Sequence, residues 1–177
     1  MQSGNPSGGF NAAAHGGPRI ELELIASHAR FSGNVNLGAY ARVSDLLNFH
    51  DEILSVADGA VLNPLGDQSS DPVPQLDIRL SELTLVIDRS DYVPPPDTDQ
   101  IVEKKPYQLL AVTDAYIITA TFFIYAGAEA VPYLRAAEPR WIPVTDVKAQ
   151  SLIDPEVEID AKFGVLHRKP LLATSVM

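Results

Sequence analysis

Cysteine is absent from this 177-residue chain. That excludes a disulfide scaffold, a thiolate nucleophile, and any zinc or iron–sulfur site built on thiolates. Basic residues are scarce, with Lys+Arg 13 against Asp+Glu 23, a net charge of −10. Nucleic-acid binding needs clustered cations to neutralise phosphates, so this balance argues against a nucleic-acid partner. The sequence contains no G-x-S-x-G, S-x-x-K, H-E-x-x-H, G-x-G-x-x-G or G-K-[ST] pattern, and the expectation is a non-enzymatic protein without cofactor or metal. The four histidines (His15, His28, His50 and His167) are scattered; His50-Asp51 reads as a solvated helix end, because a lone dyad lacks the further ligands a metal needs. Long apolar runs are missing too. The most apolar uncharged stretch, Ala115 to Ala128 (AYIITATFFIYAGA), has 14 residues, where a spanning helix needs about 20. Met1 to Pro18 carries neither a basic nor an apolar leader segment, so no secretory signal is read there and a cytoplasmic location is expected.

What is present is enough apolar material for a core, at 46% hydrophobic. Residues 1–18 are rich in Gly, Ser, Asn and Ala, with Phe10 the single large apolar side chain. Such a segment gains order only by lying on a surface, so it is expected as an extended arm laid across a neighbour. A Pro-rich stretch, DRSDYVPPPDTDQIVEKKP from Asp88 to Pro106, carries three consecutive prolines, Pro94 to Pro96, which favour polyproline II. The chain thus divides into an arm (1–18), a first unit (19–88), a linker (89–105) and a second unit (106–177).

The two units align with each other at an offset of 87. Phe31-Ser32-Gly33-Asn34-Val35 falls on Ile118-Thr119-Ala120-Thr121-Phe122, and Val43 to Asn48 falls on Ala130 to Arg135. With one residue inserted, Ile53 to Asp58 falls on Trp141 to Asp146. Near the end, Ile78 to Val86 is set against Val165 to Ala173. Apolar type matches apolar type, which points to a tandem duplication. Alternation in Phe31–Leu37 and the β-rich run Tyr116–Tyr125 predict strands, whereas Val43–Phe49 and Ala128–Ala137 predict short helices. The expected fold class is α+β, mainly β: two tandem copies of a small open barrel-like β-β-α-β-β unit with an extended N-terminal arm.

The segments RVSDLLN (Arg42 to Asn48) and RWIPVTDV (Arg140 to Val147), each following a paired-strand segment, resemble a bacterial family of small strand-strand-helix-strand-strand domains. These are similar to open barrels of the Sm-like and SH3-like type. The resemblance implies that barrel architecture and brings no catalytic residues. RNA binding by Sm-like barrels is not carried over, because the chain lacks basic clusters.

Four groups of residues stand out. In Tyr116–Tyr125 one face would carry Ile117, Thr119, Thr121, Phe123 and Tyr125, where the first copy has Ser32, Asn34 and Asn36. The first copy can leave that face in water and the second cannot, so these residues, with Phe10, are the expected partner interface. Asp154, Glu156, Glu158 and Asp160, spaced by two, would share one face of an extended strand, as a weak cation or basic-partner face or simply as charge that blocks sheet pairing. Glu21 and Glu23 alternate with Leu22 and Leu24 in the same way and are read as the same edge-strand charge that blocks sheet pairing. Tyr107, Tyr133 and Trp141 would line a pocket between the copies. Residues 1–105 carry 7 basic and 15 acidic side chains, net −8, and 106–177 carry 6 and 8, net −2. The less charged second half fits an interface. The functional expectation is a structural or accessory subunit that binds protein, either itself or a larger complex; the alternative is a small-ligand or regulatory module.

Overall fold

The computed structural model describes residues 16–50, 52–95, 103–136 and 138–177. The first half runs β1 (Arg19–Ala26), β2 (Arg30–Asn36), α1 (Val43–Phe49), β3 (Ile53–Leu62), β4 (Val73–Arg79), a 3₁₀ turn (Leu80–Glu82) and β5 (Leu83–Asp88). The second runs β6 (Lys104–Val112), β7 (Tyr116–Tyr125), α2 (Ala130–Arg135), β8 (Trp141–Ser151), β9 (Glu158–His167) and β10 (Ala173–Val176). All ten strands join one open antiparallel sheet in the order β10-β6-β7-β8-β9-β5-β1-β2-β3-β4. The protein is mainly β, and the expected arm lies almost wholly outside the described residues, Phe10 included.

Within each half the lateral order is the same: fifth strand, first, second, third, fourth. The bulges also coincide. β3 slips against β2 opposite Gly33, and β8 slips against β7 opposite Ala120. At those slips Asp58 and Asp146 both take φ 52°, a left-handed conformation that aspartate tolerates better than most side chains. Both strands continue past the bulge, β3 to Leu62 and β8 to Ser151. The 88-residue spacing persists to the end of the chain: Ile53 pairs with Arg79 as Trp141 pairs with His167. By position in the sheet, Ile78 therefore corresponds to Leu166 rather than Val165.

Strand directions alternate across the sheet, so each strand of the second half runs opposite to its positional counterpart in the first. With the lateral order unchanged, that turns the second half over, and the two cores lie on opposite faces. The junction between β5 and β9 makes this visible. Val86 and Val165, partners in the ladder, join the core of the first half with Leu22, Leu24, Leu47 and Leu54. Leu85 and Leu166, one position away, join the core of the second half with Phe122, Ile118 and Val144. β5 is covered on both sides, so it reads as a continuous run, Leu83-Thr84-Leu85-Val86-Ile87, all buried. β6 starts at Lys104, earlier than its apolar residues suggest. Pro106 is tolerated there because β10 pairs only with Leu109–Val112, leaving the proline at an open edge.

Candidate functional site at the seam between the halves

Helix α1 of the first half docks on the start of β8 in the second. Asn48, in its last turn, accepts from the Trp141 N–H at 3.0 Å and donates to the Trp141 carbonyl at 3.0 Å and the Ser44 carbonyl at 2.9 Å. Next to it Arg140 donates to the carbonyls of Asn48 and His50 at 3.3 and 3.0 Å. The Trp141 ring, 1% exposed, stacks on His167 with centroids 4.4 Å apart and planes 13° from parallel. The His167 Nδ1–H donates to the carbonyl of Leu83 at 2.9 Å, across the β5/β9 junction. Burial holds this imidazole below its ordinary pKa, and the charges of Lys169 and Arg140 push the same way, against the Leu83 bond. Arg140, Trp141, His167 and Lys169 border a cavity of about 420 Å³ that also takes Glu52, Arg79 and Ser81 from the β3/β4 end of the first half.

A second cavity, of about 650 Å³, opens where the chain leaves β5, between Arg42 and Val43 at the start of α1 and Lys162 and Phe163 on β9. Arg89 stands in its wall. It donates to the Asp160 carbonyl at 3.0 Å and, through Nε at 2.9 Å, to Glu23 Oε2. Glu23 Oε1 in turn accepts from Arg30 Nε at 2.9 Å and from Arg30 Nη2. Glu23 and Arg30 are buried, at 6% and 5% exposed. The expectation that Glu21 and Glu23 are charges on an edge strand is therefore corrected: β1 lies between β5 and β2, and Glu23 is buried while Glu21 is exposed. The reason is what lies over that end of the strand: Ile25, next on the same face, joins the second core, and Arg30 from β2 and Arg89 from the end of β5 close on the carboxylate. A carboxylate so placed is held by two guanidinium groups and would be costly alone. The i, i+7 separation of Glu23 and Arg30 across the β1–β2 hairpin is the sequence signal of this pair.

The candidates singled out in the sequence divide as follows. On β7, Ile117, Phe123 and Tyr125 are 37%, 43% and 57% exposed, and Thr119 is half-buried. Thr121 is buried and accepts from Gln108 Nε2 at 2.9 Å. Lys104 Nζ sits 5.4 Å from the Tyr125 ring centroid. The segment Tyr92–Val93 does not cover them: Tyr92 packs on the first core and Val93 is exposed.

The acidic row is broken. Asp154 and Glu156 lie in the β8–β9 turn, where Asp154 accepts from the Glu156 N–H at 3.1 Å and from the Val157 N–H at 3.0 Å. Only Glu158 and Asp160 share a strand face. Pro155 and the aspartate-capped turn stop the strand from starting earlier. Nor is β9 an edge strand, since it lies between β8 and β5.

The expected aromatic pocket does not assemble. Tyr107 and Tyr133 flank Phe122 in the second core, at 5.8 and 6.1 Å, with Arg168 over the Tyr133 ring at 4.7 Å. Trp141 belongs to the first core, on the other face of the sheet. Of the three, it alone borders the seam cavity. Among the described residues no helix is long and apolar enough to cross a membrane. No protein-family model, curated protein or solved structure matches this chain.

Proposed function

We propose that the two halves are copies of one open barrel-like unit of the Sm-like or SH3-like kind, and that the chain is a non-catalytic structural or accessory subunit of the cytoplasm. It joins copies of itself or a larger protein complex, through the open face of β7 with the N-terminal arm, and does not engage nucleic acid. The common lateral strand order and the matched bulges at Asp58 and Asp146 support the duplication. One observation carries the assembly reading: Ile117, Phe123 and Tyr125 remain in water, at positions where the first half has Arg30, Asn36 and Gly38. Full burial of a large apolar side chain is worth about 1.5–3 kcal/mol, so a half-exposed cluster leaves stabilisation that a partner can supply. Face packing is favoured over edge pairing, because β4 carries Pro74 and Asp77 and β10 has four residues; prolines, charges and short strands blunt sheet edges.

Light scattering of the purified chain across micromolar concentrations tests this. The expected result is a mass above one chain, reduced to one chain by Phe123→Asp with circular dichroism unchanged. Asn34→Asp, on the corresponding face of the first half, leaves the mass as it was. A strict monomer that co-purifies with nothing from its native source overturns the reading.

A second reading, a small-ligand or regulatory module, is favoured by the seam cavity beside Trp141. Tyr107 and Tyr133 have no part in it.

A further inference from the structure

We propose that the cavity between the β3/β4 end of the first half and the β8/β9 end of the second binds a compact oxyanion of the phosphate class. This rests on the second reading and names its ligand. In a chain of net charge −10, this cavity is bordered by Arg79, Arg140, His167 and Lys169, with Glu52 the one carboxylate among its described lining residues. The proposal leans on Arg79 and Lys169, whose charges meet no carboxylate within ion-pair distance among the described residues. Arg140 is anchored by the carbonyls of Asn48 and His50, so its guanidinium is fixed at the wall.

The floor is polar and directed. His167 is 5% exposed and its Nδ1–H is committed to Leu83. The nitrogen left for the cavity is Nε2, which has no hydrogen-bond partner among the described residues. In the neutral ring Nε2 is an acceptor and offers an anion nothing; protonated, it donates. Binding of an oxyanion therefore couples to uptake of a proton on His167, and each favours the other by linkage. Glu52 at the rim opposes both the anion and, by attraction, the loss of that proton; Arg79, Arg140 and Lys169 favour the anion and oppose the proton until the anion is in place.

Trp141 is the single tryptophan of the chain and borders the cavity, so its fluorescence reports on this site. The experiment titrates the full-length protein with inorganic phosphate and with sodium sulfate, using sodium chloride at matched ionic strength as the control. Saturable quenching or enhancement is expected with phosphate and sulfate and not with chloride. Lys169→Gln and Arg79→Gln, both exposed and without a side-chain hydrogen-bond or ion-pair partner among the described residues, weaken affinity about tenfold each, the scale of one charge-assisted hydrogen bond. Glu52→Gln tightens it several-fold, which a merely structural role would not do. Sulfate does not titrate in this range, so its affinity rises from pH 8 to pH 6, and the His167 ring resonances titrate at higher pH when sulfate is bound.

Chloride acting as well as sulfate, or affinity unmoved in all three variants, overturns the proposal. If phosphate and sulfate fail while another compound from a small-molecule panel shifts Trp141, the oxyanion assignment falls and the ligand-binding reading stands. If nothing shifts it, both fall.

Discussion

At the scale of single residues, His167 ties together the ladder, the cavity and the pH response. Its imidazole is held low by burial, with Lys169 and Arg140 adding to the effect. A histidine whose folded pKa lies below its unfolded value of about 6.5 binds more protons when unfolded, so stability rises with pH through that region. The contribution is complete above about pH 6.5 and is lost as pH falls toward the folded value. Thermal melts in a buffer free of phosphate and sulfate are expected to show Tm dropping between pH 7.5 and pH 5.5. His167→Phe keeps the stack on Trp141 but cannot titrate, and is expected to flatten that drop while lowering stability overall through the lost Leu83 bond. A drop of equal size in the variant would assign the pH response to other groups. The same scale explains why Glu23 escaped a reading by alternation. Its spacing from Leu22 and Leu24 is that of a solvated face, and only the second core reached at Ile25, with Arg30 and Arg89 closing over the carboxylate, buries that end of it.

At the scale of elements, α1 is a seven-residue helix without a side-chain cap, too short to be stable alone. It is held by Val43, Leu46 and Leu47 in the first core and by Asn48 on the second half. Asn48→Ala removes three hydrogen bonds and leaves the N–H and C=O of Trp141 to find other partners. A loss of about 2–3 kcal/mol follows from the cost of unsatisfied backbone groups. Urea denaturation would detect it as a lowered midpoint at an unchanged slope. A loss below about 0.5 kcal/mol, the range of an ordinary surface substitution, would mean that α1 is held by its apolar contacts alone. α2 differs in kind. It has Arg135 where α1 has Asn48, and it packs on β10 within its own half, so the clamp exists once and ties the first half to the second.

At the scale of the molecule, the two cores are separate on opposite faces yet share their boundary strands. Ile25, Leu85 and Ile87 of the first half complete the second core, and Trp141 and Val165 of the second half complete the first. Cutting the chain in the linker would expose both sets. Thermal and chemical unfolding of the intact protein are therefore expected to give one transition, coincident by near-ultraviolet absorbance and by circular dichroism. Residues 106–177 expressed alone are expected to show no cooperative melt. Two resolved transitions, or a folded fragment, would show that the junction at β5 and β9 adds little.

Much of this was legible from the sequence, and in places residue by residue. Val43–Phe49 and Tyr116–Tyr125 are helix and strand as their patterns dictate, because periodicity of apolar residues reports which face is covered. The inserted residue before the third strand, and the match of Asp58 to Asp146, were visible in the alignment of the halves. So was the contrast between Ser32, Asn34, Asn36 and the apolar face of β7. Contacts between distant strands could not be read, because a strand's pattern records that a face is buried without recording by what. Tertiary structure decided that the two units fuse into one sheet and that the second is turned over. It also decided that Trp141 leaves its own half's aromatics to lie in the other core, and that three cations and a histidine scattered from residue 79 to residue 169 converge on one cavity. The physical reason is that local sequence fixes which side chains leave water, whereas the pairing of β5 with β9 fixes which of them meet.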